Sequence, residues 1–217
     1  MKVGNSVRKA IDDWEAKEYE SAMLHACNAI DGTAKKAYPN ADVGNKKRFT
    51  DFLRGNYAIL GPMGLPQIDI VRQRFHVPIG GKATTADGIP DLADVIYGVH
   101  RCTHGHGDEL PEGFELMPDA AGPAGYTRVR FDPGAVRLSD RIIFALIAVA
   151  VLSPHNRDQH VPAGYHLTFG SAAIRLEINE WWGRSADFGE VLALDPSISV
   201  NIDFSKVLDE WAAKTSS

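Results

Sequence analysis

The feature that most constrains the fold is a long helical pattern at the start of the chain. Between residues 7 and 37, apolar side chains recur at spacings of three and four, while charged side chains occupy the other face. Pro39 ends the pattern. Roughly thirty residues is long against a mean helix of about 11–12, which favours a helical bundle or a helical hairpin. Trp14 and Cys27 lie on the apolar stripe and are predicted to be core residues.

Three later segments also predict helices. The first covers Phe49 to Leu60 and is expected to break at the sequence Gly61-Pro62-Met63-Gly64, and the second opens at Asp91, directly after Pro90. The third, Ile142 to Leu152, reads IIFALIAVAVL and follows a capping Ser139. Its 11 residues fall well short of the ~20 that a membrane span needs, so it is expected to be a buried core helix and no membrane association is predicted.

Short strands and a last helix complete the expected fold. Strands are predicted at Ile68–Phe75 and Tyr165–Phe169, and Phe114–Met117 is predicted to pair with Thr127–Phe131 as a hairpin. The segment Ile174–Trp182 fits both a strand and a helix, and Phe204–Ala213 predicts a helix. The predicted fold class is therefore mainly α: a four-helix bundle decorated with short strands or a hairpin, with a C-terminal extension. The chain is expected to divide into a helical domain at 1–160 and a C-terminal extension at 161–217, with one single domain as the alternative.

Charge and cysteine usage narrow the function classes. The net charge is −5, so the whole molecule is no general polyanion binder, and any nucleic-acid contact requires a local basic patch. The two cysteines, Cys27 and Cys102, are far apart and form no Cys-x-x-Cys pair. They favour a reducing compartment, and the N-terminus lacks the apolar stretch of a signal peptide, so a cytoplasmic location is expected.

The stretch HRCTHGHGDEL at positions 100–110 concentrates titratable side chains. Three of the eight histidines, His100, His104 and His106, fall within seven residues at the expected end of the third helix. Since residues i and i+4 share a helix face, His100 and His104 are spaced to reach one divalent ion, with His106 as a third ligand. A metal-binding helical protein is therefore one alternative. A polar helix end without function is another, because cationic side chains are favourable at a helix C-terminus.

The same stretch contains an arginine and a histidine separated by four residues, Arg101 and His106. This R-x4-H pair, ending a helix that reads DLADVIYGVHRCTHGH, resembles the motif of the HEPN superfamily (higher eukaryotes and prokaryotes nucleotide-binding). The resemblance covers about residues 5–155 and implies a HEPN-like helical bundle in residues 1–160, a homodimer with facing motifs, and a metal-independent endoribonuclease. It departs from the family pattern at Cys102, where a small polar residue is common.

The chemistry of these residue types suits that implied activity. RNA supplies its own nucleophile, the 2′-hydroxyl, and the reference pKa of histidine, ~6.5, suits His106 to proton transfer near neutral pH. Arg101 presents a permanently charged fork to phosphoryl oxygens. His104, His100 and Thr103 are the expected supporting residues, and Lys46, Lys47 and Arg48 form a weaker candidate RNA-binding run.

The expected function is an endoribonuclease of a defence or toxin system that needs no metal and no cofactor. Its expected partners are an RNA substrate, a second copy of the chain and an antitoxin or regulatory protein. The alternative within the same family is a catalytically inactive bundle that dimerises or binds a nucleotide or partner.

Overall fold

A computed structural model of the protein describes residues 2–39, 42–103, 108–122, 126–169, 174–192 and 199–215. The protein is mainly α-helical with a few short strands, as predicted. In the described ranges, no helix has both the length and the apolar character to cross a membrane.

The N-terminal helical pattern forms a hairpin of two helices. Helix α1 spans Val3–Glu15 and α2 spans Tyr19–Ala37. The chain turns at Lys17, whose φ of 66° lies in the left-handed region and ends the helical hydrogen bonding. The prediction of helical character is confirmed, but the apolar stripe continues across the turn, so the pattern alone does not mark the break. The packed faces of α1 and α2 bury Val7, Ala26 and Ile30 completely.

The second predicted helix is also two helices, α3 (Asn45–Gly55) and α4 (Tyr57–Gly64). The helix does end within the predicted segment, since α4 runs through Pro62 and stops at Gly64, but the interruption at Asn56 was not predicted. Gly64 also has a packing role: a Cβ atom here would lie 2.8 Å from Cδ1 of Ile142. The glycine therefore lets α4 approach the central helix closely.

The third predicted helix begins as expected. Helix α5 begins at Leu92–Val95 and continues as a π-helical turn over Ile96–Arg101, and the name α5 covers both parts below. Asp91 caps it, since its Oδ1 accepts a hydrogen bond from the Asp94 amide at 3.0 Å. The strand predicted at Ile68–Phe75 was wrong: this stretch consists of turns and extended chain without a ladder partner among the described residues.

The apolar run forms helix α6, Arg141–Leu152, at the centre of the core. Ser139 Oγ accepts a hydrogen bond from the Arg141 amide at 3.0 Å, close to the predicted capping role. Ten of the twelve residues of α6 are buried, and the helix packs against α1, α2 and α4. The prediction of a buried core helix is confirmed.

Two small sheets flank the helices. Strand β1 (Tyr126–Asp132) pairs antiparallel with β2 (Ala135–Arg137) and parallel with β5 (Ser199–Asp203), giving the order β2-β1-β5. The predicted pairing of Phe114–Met117 with Thr127–Phe131 was wrong, since Met117 forms only an isolated bridge with Ser139. Strand β3 (His166–Phe169) confirms its prediction and pairs antiparallel with β4 (Ile174–Glu177).

The C-terminal part contains the remaining helices: α7 (Ile178–Trp181), α8 (Phe188–Leu192) and α9 (Ser205–Thr215). The segment Ile174–Trp182 is thus a strand followed by a helix, which explains why its sequence fits both periods, and α9 confirms the last predicted helix. Leu176, Ile178 and Phe188 are buried in the same apolar core as the N-terminal helices. The proposed division at residue 160 stays a prediction.

Candidate functional site

Arg101 lies at the end of the π-helical turn that continues α5. Its Nη2 lies 3.2 Å from Oδ2 of Asp31 on α2, and the two side chains are 27% and 12% exposed. Lys35, one turn further along α2, places its Nζ 4.0 Å from the same carboxylate oxygen and is 56% exposed. One carboxylate therefore faces two cations, and this cluster keeps a net positive charge while part of the arginine remains open to solvent.

The start of α5 is fixed by a dense set of charged hydrogen bonds. Arg54 of α3 donates from Nε and Nη2 to the two carboxylate oxygens of Asp91 at 2.7 and 2.9 Å, and Nη2 also reaches Asp94 at 2.9 Å. The hydroxyl of Tyr57 donates to Asp91 at 2.9 Å. Burial alone would raise the pKa of Asp91, but the bonds and charge of Arg54, together with the hydrogen bonds from the Asp94 amide and Tyr57, hold that pKa below its usual value.

Asp94 is fully buried and also accepts hydrogen bonds from the amide and hydroxyl of Thr84, both at 2.9 Å. This second carboxylate ties the irregular chain before α5 to the first turn of the helix. The position of Arg101 at the other end of the helix thus depends on contacts made about two turns earlier.

The π-helical turn carries aromatic and cysteine side chains beside Arg101. Tyr97 packs edge-to-face on Phe49 with ring centroids 5.2 Å apart, and Lys46 Nζ lies 6.0 Å from the Tyr97 ring centroid. Burial raises the pKa of Tyr97, so its hydroxyl stays protonated near neutral pH. π-Helical turns inside α-helices are often found at functional sites, which supports the choice of this end of α5.

The predicted site residues are only partly covered by the structure. Arg101, His100 and Thr103 are described, whereas His104 and His106 lie outside the described residues. His100 is completely buried, so phosphate contact at the surface is excluded and a positioning role remains. The amide of Asp108 donates to the carbonyl of Thr103 at 3.1 Å. Both flanks of segment 104–107 therefore meet beside Thr103, two residues beyond Arg101.

The two cysteines share this region although they are distant in sequence. Cys27 is fully buried on α2, and burial raises the pKa of its thiol to about 12, with the charges of Arg101, Asp31 and Cys102 acting as smaller influences. Cys102 is partly exposed. The prediction that Cys27 is a core residue is confirmed, while Trp14 is only partly buried at the edge of the core.

The three residues of the weaker candidate RNA-binding run, Lys46, Lys47 and Arg48, have different surroundings. Lys46 lies beside Tyr97, as described, and donates to the Lys82 carbonyl at 2.8 Å. Lys47 instead pairs with Asp51 on its own helix at 2.6 Å, and Arg48 donates to Asn45 at 2.5 Å. Through its contact with Tyr97, Lys46 lies beside the helix that carries Arg101.

Asp31, Lys35 and Tyr97 are members of this cluster that the sequence analysis missed. The spacing of Asp31 and Lys35, i and i+4 on one helix, was visible, but it is common on solvated helix faces. Their proximity to Arg101 depends on the packing of α2 against the end of α5. In the described part of the chain, no group of three or more histidine, cysteine or acidic side chains is arranged to hold a metal ion.

The fold and the cluster define a mainly helical protein with a partly exposed, cationic helix end. Comparison with known proteins places it more closely: the family model described as Rv1289 matches residues 2–208, and the chain belongs to this family. It is 37% identical over 212 residues to uncharacterised proteins of Mycobacterium bovis and of two strains of Mycobacterium tuberculosis, covering 97% of each chain. No solved structure gives a significant match.

Proposed function

We propose that the protein is a metal-independent endoribonuclease whose active site is the end of α5, with Arg101 binding phosphate and His106 transferring the proton. The observation that carries the proposal is the state of Arg101: one ion pair to Asp31 orients the guanidinium, and 27% of the side chain stays exposed. A guanidinium held in this way can receive a phosphoryl group without first being ordered.

The surroundings add charge of the right sign. Lys35 shares Asp31 with Arg101, and Lys46 lies beside Tyr97 one turn before Arg101. Such lysines would contact neighbouring phosphates of a single strand, although the whole chain carries a net charge of −5. The expected affinity for RNA therefore falls steeply with salt.

His106 supplies the acid–base group in this proposal. It follows Thr103 by three residues in the sequence, outside the described residues, and the Thr103 carbonyl accepts a hydrogen bond from the Asp108 amide. One histidine and one arginine per chain make a small site, so we include a homodimer in which two α5 ends face each other around a shared phosphate. The helical part would then be a HEPN-like bundle in residues 1–160, and a regulatory or antitoxin protein would cover the paired ends.

The test is digestion of a structured RNA in EDTA by the purified protein and its variants. Arg101→Ala and His106→Ala are expected to lose at least ~100-fold in cleavage rate. The matched controls are Arg72→Ala, an arginine that is 90% exposed, and His155→Ala, an exposed histidine in a single 3-10 turn after α6; both should cleave normally. Equal residual activity in all four variants would indicate a contaminating nuclease and contradict the proposal.

A further variant separates catalysis from structure at Arg101. Asp31→Asn keeps a side-chain oxygen that can accept a hydrogen bond from Arg101 and orient it, but removes the negative charge that competes with phosphate, so cleavage should persist if Arg101 acts on RNA. Mixing Arg101→Ala chains with His106→Ala chains tests the dimer, because a mixed dimer regains one complete pair. Light scattering that gives a mass near 23.7 kDa would contradict the shared site.

A second function is favoured by one observation, the Arg101–Asp31 ion pair itself. If the pair is purely structural, the protein is a catalytically inactive bundle that dimerises or binds a nucleotide or partner. Asp31→Asn would then lower the free energy of unfolding without any RNA cleavage in either form.

A further inference from the structure

A cleft of about 520 Å³ lies at the other end of the hairpin helices, between the end of α1, α6 and the chain leading into β3. Its walls include the rings of Trp14, Phe144 and Tyr165, together with Glu15, His166 and Thr168. The volume falls within the ~300–1,000 Å³ typical of small-molecule sites. None of these residues belongs to the Arg101 cluster.

Two of the aromatic rings form a corner. Trp14 and Phe144 meet edge-to-face with centroids 4.7 Å apart and an interplanar angle of 72°. The two ring planes are therefore nearly perpendicular, and the part of an aromatic face that borders the cleft carries the negative π density that attracts organic cations. Tyr165 adds a third aromatic wall.

The polar atoms of Trp14 and Tyr165 already have hydrogen-bond partners within the chain. The indole Nε1 of Trp14 donates to Asp140 at 2.8 Å, and Asp140 is only 3% exposed. The hydroxyl of Tyr165 donates to Asp12, whose other oxygen accepts from Arg8 at 2.7 Å. The rings are therefore fixed before a ligand arrives, and little side-chain entropy is lost on binding.

The charge of the lining selects the sign of the ligand. Among the residues described as lining the cleft, Glu15 is the carboxylate, and neither lysine nor arginine is present. Glu15 is exposed at the rim, while Ile11 and Leu167 form an apolar floor. Such a site suits a compact group that is cationic yet has an apolar surface.

We propose that this cleft binds a small organic ammonium ion of the alkylated type, with its methyl or methylene groups against Trp14, Phe144 and Tyr165 and its charge near Glu15. Inorganic cations fit less well, because the walls offer rings rather than several oxygen ligands. This site is independent of RNA cleavage at Arg101 and stands even if that activity is absent.

The test compares choline with its neutral isostere 3,3-dimethylbutan-1-ol by titration calorimetry and by saturation transfer from the protein to the ligand methyl groups. The two probes have the same shape, so the difference reports the charge. Choline is expected to bind at least ~5-fold more tightly than the alcohol. Equal affinities would overturn the proposal, as would absence of choline binding up to millimolar concentration.

Variants locate the binding within the chain. Glu15→Gln should weaken choline binding by roughly 2- to 5-fold and leave binding of the alcohol unchanged. Glu18→Gln is the matched control, since Glu18 is an exposed carboxylate just beyond the cleft, and it should have no effect. Phe144→Leu keeps an apolar side chain of similar reach and should reduce the preference for choline over the alcohol. An unchanged preference in both Glu15→Gln and Phe144→Leu would place the binding elsewhere and overturn the assignment.

Discussion

Removing Arg54 is predicted to destabilise the protein strongly, because it leaves two buried carboxylates without their cation. The side chains of Asp91 and Asp94 are 5% and 0% exposed, and Arg54 is hydrogen-bonded to both. Breaking a buried pair by deleting one partner typically costs about 3–5 kcal/mol. Asp91 keeps the hydroxyl of Tyr57 and Asp94 keeps Thr84, so we expect Arg54→Ala to lose about 3 kcal/mol, at the lower end of that range.

Urea denaturation followed by circular dichroism measures this loss. Arg72→Ala is the matched control, since Arg72 is likewise paired with an aspartate, Asp69. That pair is exposed: the Arg72 side chain is 90% exposed, and its Nε lies 3.6 Å from Asp69. An exposed pair of this kind contributes about 0–1 kcal/mol. Arg54→Lys should fall between wild type and Arg54→Ala, because an ammonium cannot make the two parallel bonds to Asp91. If Arg54→Ala and Arg72→Ala lose the same small amount, the argument from buried charge is refuted.

Three further predictions concern Asp91, the two cysteines and two glycines. The pKa of Asp91 is depressed in the folded state. The stability that ionised Asp91 contributes is therefore fully present above the unfolded pKa of ~3.9 and is lost as the pH falls through the lower folded pKa. Urea midpoints measured from pH 5 to pH 2 should accordingly decline less in Asp91→Asn than in wild type. Cys27 is fully buried with a thiol pKa raised to about 12, whereas Cys102 is partly exposed. A thiol reagent at pH 8 should therefore modify Cys102 alone in the native protein and both cysteines in urea. Rapid modification of Cys27 in the native Cys102→Ser variant would contradict this assignment. Gly98→Ala places a Cβ 2.9 Å from the Cβ of Ile79 and should cost roughly 1–3 kcal/mol in urea denaturation, whereas Gly55→Ala, with no atom within 4 Å of the new Cβ, should be neutral or slightly stabilising.

Local patterns allowed parts of this fold to be predicted, and non-local packing accounts for what they missed. Asp91 after Pro90 marked the start of α5, and the unbroken apolar run marked α6 as the central helix, because capping and burial depend on adjacent residues. The turn at Lys17 was missed because the apolar stripe continues on both sides of it. Glycine and proline chemistry correctly predicted that the helix ends by Gly64, but it did not predict that α4, packed on α6, continues through Pro62, nor that the chain is interrupted at Asn56.

The same distinction applies to the candidate site. Arg101 and His100 were chosen as candidates because the sequence crowds titratable groups near one helix end. The ion pair between Arg101 and Asp31 joins residues far apart in the chain, and no periodicity connects them. The aromatic cleft was equally invisible, since Trp14, Phe144 and Tyr165 come from three separate segments that each show an ordinary apolar pattern.

The parallel pairing of β1 with β5 has a consequence for how the chain folds. Tyr126 of β1 aligns with Ser199 of β5. The central strand β1 can therefore pair with β5 only after α6, β3 and β4 have been synthesised. The helical hairpin of α1 and α2 can form from local contacts while the chain is still emerging from the ribosome, but the sheet has a high contact order and closes last. Until β5 has been synthesised and has paired, the edge of β1 that it covers is open to pairing with other chains. Slow synthesis of the C-terminal part, or truncation before Ser199, would therefore expose the protein to aggregation at this strand.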